Sequence, residues 1–226
     1  MDMITRILKY RLNTINYWLY GKKPALLLHS GLHGDEYQVI DCVKATIKKY
    51  LKQLLPFVFV PEVSPSAVTK KKRFNKNNVD INRNFIDNSK DQEVITNMQI
   101  LKNHHFDFYF GFHEHSSLSD FYLYDSANLI KSPKLKKFFN EIKEAGINLY
   151  NGIDDPNDPL LKFKVVNGYV PLTKKNETAG TFPSWAFKKG IIKNAVDLEI
   201  PGKISLNKKC QIIDLFFKNI ILGNKE

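Results

Sequence analysis

Four short stretches of this chain carry side chains whose types and spacing could do chemistry. The first is His29-Ser-Gly-Leu-His33-Gly34-Asp35-Glu36. An apolar run precedes it and glycines interrupt it, so His33 and Glu36, three apart across a strand-to-helix boundary, can converge as a nitrogen and an oxygen ligand. Zinc accepts that combination. Taken alone, His-x-x-Glu also fits an exposed turn histidine beside a helix-initiating glutamate. The second stretch adds support, because His113 follows directly on the apolar run Phe106 to Phe112 and supplies a third ligand. A His/Glu/His set leaves zinc's fourth position open for water. His115, two residues on, is the rival third ligand or a donor behind it.

The third stretch, Arg73-Phe-Asn75-Lys-Asn-Asn-Val-Asp80-Ile-Asn82-Arg83-Asn84-Phe85, is dense in side-chain donors. It reads either as a solvated loop or as a loop anchored by Val79, Ile81 and Phe85 that leaves Asn82 and Arg83 to point inward. A guanidinium grips a carboxylate through two parallel hydrogen bonds, so a substrate carboxylate is the natural guest. The fourth stretch is Ala195-Val-Asp197-Leu-Glu199-Ile-Pro201, an apolar strand with carboxylates on alternate positions, hence on one face. If Glu199 faces a metal site, burial raises its basicity and suits it to accept a proton from water and return it to a leaving amine.

These stretches need elements to hold them. Hydrophobic spacing alternates between strand-like and helix-like segments without a repeat, a low-complexity tract or a long linker, which predicts one α/β domain over residues 1–226. Ile4 to Tyr10 and Asn16 to Tyr20 read as an opening pair of strands, and Ala25 to His29, Phe57 to Val60 and Phe106 to Phe112 as buried strands. Phe121 to Tyr124 extends the sheet and Asn194 to Ile200 closes it. Helices are expected over Asp35 to Leu54, around Val94 to Leu101, after a Ser132 cap with Pro133 at the first helical position, and over Leu206 to Leu222. Asn151 to Pro159 reads as a turn-rich loop. Strands alternating with helices predict a largely parallel or mixed sheet covered on both faces, with ligands beyond the carboxyl ends of its strands.

Composition bounds the function classes. With 226 residues, 43% of them hydrophobic, the chain is neither a disordered tail, a small disulfide scaffold nor a coiled coil. Its 34 Lys+Arg against 23 Asp+Glu give a net charge of +11, but the lysines are spread. The one dense basic run, Lys70 to Arg73, lacks interleaved aromatics, so a solvated lysine-rich surface is expected rather than nucleic-acid binding. Such a field still attracts anionic small substrates. No apolar run is long enough for a membrane span and the N-terminal residues lack the pattern of a secretory signal, so a cytoplasmic protein without a membrane partner is expected. Cys42 and Cys210 are expected as separate, buried, reduced thiols that serve packing.

Taken in order, His-Gly-Asp-Glu, Arg-x-Asn-x-x-x-Val-Asp-x-Asn-Arg-Asn-Phe, a strand ending in Phe-His, and Leu-Glu-x-Pro resemble the motifs of the M14 zinc carboxypeptidase family over Gly31 to Pro201. Within that family the likeness is closest to the short cytoplasmic murein-peptide amidases, which share Glu177-Thr-x-Gly180-x-Phe182-x-Ser184-Trp185. The resemblance implies one zinc per chain on His33, Glu36 and His113, with Glu199 as general base and Arg73 stabilising the oxyanion. It also implies that Asn82 and Arg83 hold the terminal carboxylate of a small peptide substrate, and that the fold is a mixed, roughly eight-stranded sheet between helices.

Several residues depart from the family pattern. Asn176 stands where these enzymes carry a tyrosine, with Tyr169 as the nearest substitute. Asp197 replaces a small polar residue two before the base, and Glu114-His115 follow His113 more polarly than usual. Either departure could select a cationic substrate group or support the ligands from behind. Thr181-Phe182-Pro183 has no acidic residue, which argues against Lys/Arg-specific carboxypeptidases. Two further readings stand beside the peptidase: a zinc deacylase of N-acyl amino acids, by likeness to the aspartoacylase and succinylglutamate desuccinylase group, and a carboxylate-binding protein that has lost catalysis.

Overall fold

The computed structural model describes residues 6–155, 161–173 and 178–222. Ten strands and six α-helices follow one another as β1 (Leu8–Leu12), β2 (Ile15–Tyr20), β3 (Leu26–Ser30), α1 (Gln38–Tyr50), β4 (Phe57–Val60), α2 (Pro65–Lys70), α3 (Gln92–Leu101), β5 (Phe106–His115), β6 (Tyr122–Asp125), α4 (Pro133–Glu144), β7 (Gly152–Ile153), β8 (Lys164–Val165), β9 (Tyr169–Pro171), α5 (Phe182–Lys188), β10 (Ile192–Pro201) and α6 (Leu206–Phe216). Eight strands form one mixed sheet in the order β1-β2-β4-β3-β5-β10-β6-β9, and β7 pairs with β8 separately. The central strands β4, β3, β5 and β10 run parallel, while β2 and β6 flank them antiparallel. This is the mixed eight-stranded α/β fold expected.

Differences from the expected elements have local causes. Strand β5 continues three residues past Phe112, because β10 pairs with it as far as Pro201 opposite His115. His113 therefore sits on a strand rather than after one. The helix expected from Asp35 begins at Gln38, after a 3₁₀ turn at Gly34–Glu36. Ser132 caps α4 as expected, its hydroxyl accepting from Lys134 N. The final helix becomes a π-helical turn over Phe217–Ile221. Helices α2 and α5 have no counterpart among the expected elements; each is short and opens with a proline in its first turn.

The sheet divides the interior in two. On one face Phe110, Phe112, Val196, Leu198 and Ile200 pack with α1, α4 and α6. The other face, with Leu27, Tyr109 and Ala195, packs against α3 and α5. One expectation about α1 and α6 is corrected: Cys42 and Cys210 are joined as a disulfide rather than standing as separate thiols. Two cysteines 168 residues apart show no pairing signal in sequence, yet the packing of α1 on α6 brings their Cα atoms within 5.0 Å. Such a bond sits uneasily with a reducing compartment. No helix among the described residues is long and apolar enough to cross a membrane.

Candidate metal and substrate site

Alternation along β5 and β10 sends neighbouring residues to opposite faces, so Phe112 and Leu198 fill the helical core while Gly111, His113, Asp197 and Glu199 face the other way. Parallel register sets Asp197 beside Gly111 and Glu199 beside His113. From β6, Tyr122 lies opposite Glu199. The turn after β3 contributes the remaining donors. It approaches α2 closely: a Cβ at Gly34 would collide with the carbonyl of Ala67, and Gly34 N donates to Lys72 O at 3.0 Å.

These elements bring His33, Glu36 and His113 together, all buried, with one ligand atom from each within 4.8 Å of the others. His33 Nδ1 lies 2.6 Å from Glu36 Oε1, and His113 Nδ1 lies 3.1 Å from Glu36 Oε2. His115 is not in this cluster; its Nδ1 lies 3.2 Å from Ser117 Oγ. Burial alone would raise Glu36, but His113 and His33 outweigh it and hold its carboxyl well below the usual range. Burial would likewise lower both histidines, and Glu36 reverses that for each. Two imidazoles and one ionised carboxylate suit a borderline divalent cation such as zinc.

Asp80, which carries no signal in the sequence beyond its place in the motif, organises the loop around this cluster. Its Oδ1 lies 3.1 Å from His33 Nε2 and accepts from Asn82 N at 3.0 Å, while Oδ2 accepts from Arg73 Nε at 3.0 Å. A carboxylate behind a histidine ligand fixes the ring and raises its basicity. Arg73 is thereby held at the cavity wall with its guanidinium beside the carboxylates. The motif's Asn75 is scaffold: its side chain accepts from Asn77 N and Val79 N and donates to Asp91. Asn82 Oδ1 accepts from Phe182 N at 2.9 Å, tying this loop to α5, and Arg83 Nη1 donates to Asn82 O at 2.7 Å.

His33, Glu36, Arg73, Asn82, Arg83, His113 and Glu199, the seven residues singled out in the sequence, all line one cavity of about 980 Å³. Glu199 is half-buried there, and loss of solvent, opposed by His113 but reinforced by Glu36 and Asp197, pushes its carboxyl up to about 8. Tyr169 does not reach the cavity: its hydroxyl donates to Asp125 Oδ2 at 2.8 Å. Tyr122 and Tyr124 line the wall instead, which the sequence did not reveal because only register with β10 places them there. Glu114 points to the opposite face, where its Oε1 accepts from the buried Lys209 at 2.8 Å. Asn176 lies outside the described residues.

Comparisons with known proteins agree with this architecture. A family model described as "Protein of unknown function (DUF2817)" matches residues 12–104, and no curated protein sequence matches the chain. A Shewanella baltica OS155 protein, named provisionally as a metallopeptidase, superposes with a TM-score of 0.77 at 15% identity, covering 97% of this chain and 87% of the other. A metallo-carboxypeptidase from Burkholderia cenocepacia gives 0.66 at 13% identity, covering 97% and 65%. A succinylglutamate desuccinylase from Silicibacter sp. TM1040 gives 0.58 at 16% identity, covering 96% and 64%. At such identities the likeness is one of fold, and the fold of this chain is carboxypeptidase-like.

Proposed function

We propose that this chain is a zinc-dependent metallopeptidase of the carboxypeptidase or amidase type, hydrolysing the terminal amide of a small peptide that carries a free carboxylate. The observation that carries the reading is the convergence of His33, Glu36 and His113 in a cavity that also holds the half-buried Glu199. His33, Glu36 and His113 would hold the ion, which when bound polarises a carbonyl and makes water a better nucleophile. Glu199, with a proton affinity suited to neutral pH, accepts a proton from the attacking water and delivers it to the leaving amine. Arg73, oriented by Asp80, offers its guanidinium to the oxygen on which negative charge grows. Asn82 and Arg83 bind the substrate's carboxylate, with the guanidinium steadied by the bond that Arg83 Nη1 donates to Asn82 O.

A second reading, deacylation of N-acyl amino acids, is favoured by the desuccinylase among the similar folds. Both readings need the ion, the base and a carboxylate clamp. They part on whether the leaving amine belongs to a peptide or to a single amino acid. Neither calls for nucleic acid or a membrane, and the cell-wall peptides suggested by sequence resemblance are one substrate class to include.

The first test is the metal content of purified protein, wild type beside His113→Ala, by elemental mass spectrometry. One zinc per chain, lost in the variant, is expected. A wild type that takes up no metal even after incubation with zinc would overturn both readings. Metal-loaded protein is then assayed on muropeptides, on unmodified and amidated peptides, and on N-succinyl and N-acetyl amino acids. Cleavage of unmodified peptides with little action on amidated ones is expected, whereas hydrolysis confined to the acyl amino acids would establish the second reading.

A further inference from the structure

We propose that Asp197 is a positioning residue for His113, doing for this histidine what Asp80 does for His33, with Tyr109 supporting it from behind. The inference rests on the reading of His33, Glu36 and His113 as a metal site. Both histidines turn Nδ1 toward Glu36. A ring committed to a metal through Nδ1 carries its hydrogen on Nε2, which then needs an acceptor. For His33 that acceptor is Asp80, at 3.1 Å. For His113 the facing carboxylate is Asp197, whose Oδ1 lies 3.7 Å from Nε2.

Three observations make the 3.7 Å separation more than proximity. Asp197 Oδ1 is buried without a hydrogen-bond partner, although a buried carboxylate oxygen is costly to leave unmet. The hydroxyl of Tyr109, on the same face of β5 as His113, is also buried and unpartnered. Between them stands Gly111, register-paired with Asp197, where a Cβ would collide with Asp197 Oδ1 and come within 2.6 Å of the Tyr109 hydroxyl. The glycine thus opens a slot into which both groups point. A shift of under about 1 Å brings His113 Nε2–H into hydrogen-bond range of Asp197, and Tyr109 O–H is a second donor for the same oxygen. The result is a chain of contacts from Glu36 through His113 to Asp197 and Tyr109.

The test measures Zn²⁺ affinity by competition with a chelator for wild type, Asp197→Asn, Asp80→Asn and Tyr109→Phe, alongside circular dichroism and melting of each metal-free protein. Asp197→Asn is expected to weaken Zn²⁺ binding about 10- to 100-fold, comparably to Asp80→Asn, with a smaller loss for Tyr109→Phe. A second measurement needs no variant. In Co²⁺-loaded wild type each liganded imidazole gives a strongly shifted, exchangeable ring N–H signal in the proton spectrum. Two slowly exchanging signals are expected, and Asp197→Asn should speed the exchange of one alone.

One fast-exchanging ring N–H in the wild type would overturn the proposal, as would unchanged Zn²⁺ affinity in folded Asp197→Asn. If that variant keeps its affinity but raises KM selectively for peptides with a cationic side chain, Asp197 is a substrate-binding group instead. A wild type that binds no Zn²⁺ defeats the metal reading itself, and is distinguished from these outcomes because each of them requires a wild type that takes up the metal.

Discussion

The two faces of the sheet share the same strands and solve opposite problems. Toward α1, α4 and α6, strands β5 and β10 present Phe110, Phe112, Val196, Leu198 and Ile200, which pack against Phe216 and Phe217 among others. A buried ion pair on that side, Lys209 with Glu114, is completed by Gln38. Toward the cavity the intervening positions are Gly111, His113, Asp197 and Glu199, a set of ionisable groups around a glycine. That apolar face supplies the burial that holds the strands in register. The polar face spends that rigidity on holding carboxylates and imidazoles closer than they would stand in water. Adjacent residues on one strand therefore differ in what a substitution should do.

The largest effect is expected on the cavity face. Glu199→Gln should keep its metal and lose roughly 10²- to 10⁴-fold in kcat, measured on whichever substrate the screen identifies. Substantial remaining turnover would remove Glu199 from the mechanism. On the helical face Lys209→Met leaves Glu114 buried without its cation, and should cost about 3–5 kcal/mol in denaturant unfolding while leaving the metal stoichiometry unchanged. If it abolished metal binding without loss of stability, the division between supporting and reactive faces would fail.

Arg83→Ala should raise KM roughly tenfold or more for substrates with a free carboxylate and little for amidated ones. Equal effects on both would reassign Arg83 to loop structure, consistent with its bond to Asn82 O. The smallest effect concerns pH. Burial raises the Glu199 carboxyl from 4.5 to about 8 in the folded protein, so its contribution to stability is fully present below about pH 4.5 and is lost as pH rises through about 8. Metal-free wild type should accordingly show a melting temperature falling by on the order of 5 °C more than Glu199→Gln between pH 5 and 9. Parallel profiles would place the charge of Glu199 in contact with water.

Much of the site was legible because its motifs are local. His33 and Glu36 sit three apart at a strand-to-helix turn, Asn82 and Arg83 lie within one loop, and Asp197 and Glu199 alternate on one strand, so spacing alone limits where each can point. The apolar periods likewise marked the central strands and the longer helices, since burying one face requires that pattern. By the same logic α2 and α5 escaped notice: six and seven residues are too few for a period to emerge.

What the sequence by itself determined is thus which residues have the right chemistry and which side of their own element they occupy. Only the tertiary structure decided which of them meet. The approach of His113 rather than His115 to Glu36, the contact of Asp80 with His33 across 47 residues and the turning away of Tyr169 toward Asp125 all depend on register and packing between distant segments. So do the pairing of Cys42 with Cys210 and the burial of Lys209 against Glu114. Such contacts carry no spacing rule, because the chain between them is long enough to permit any partner, and it is the packing of helices on a twisted sheet that selects one.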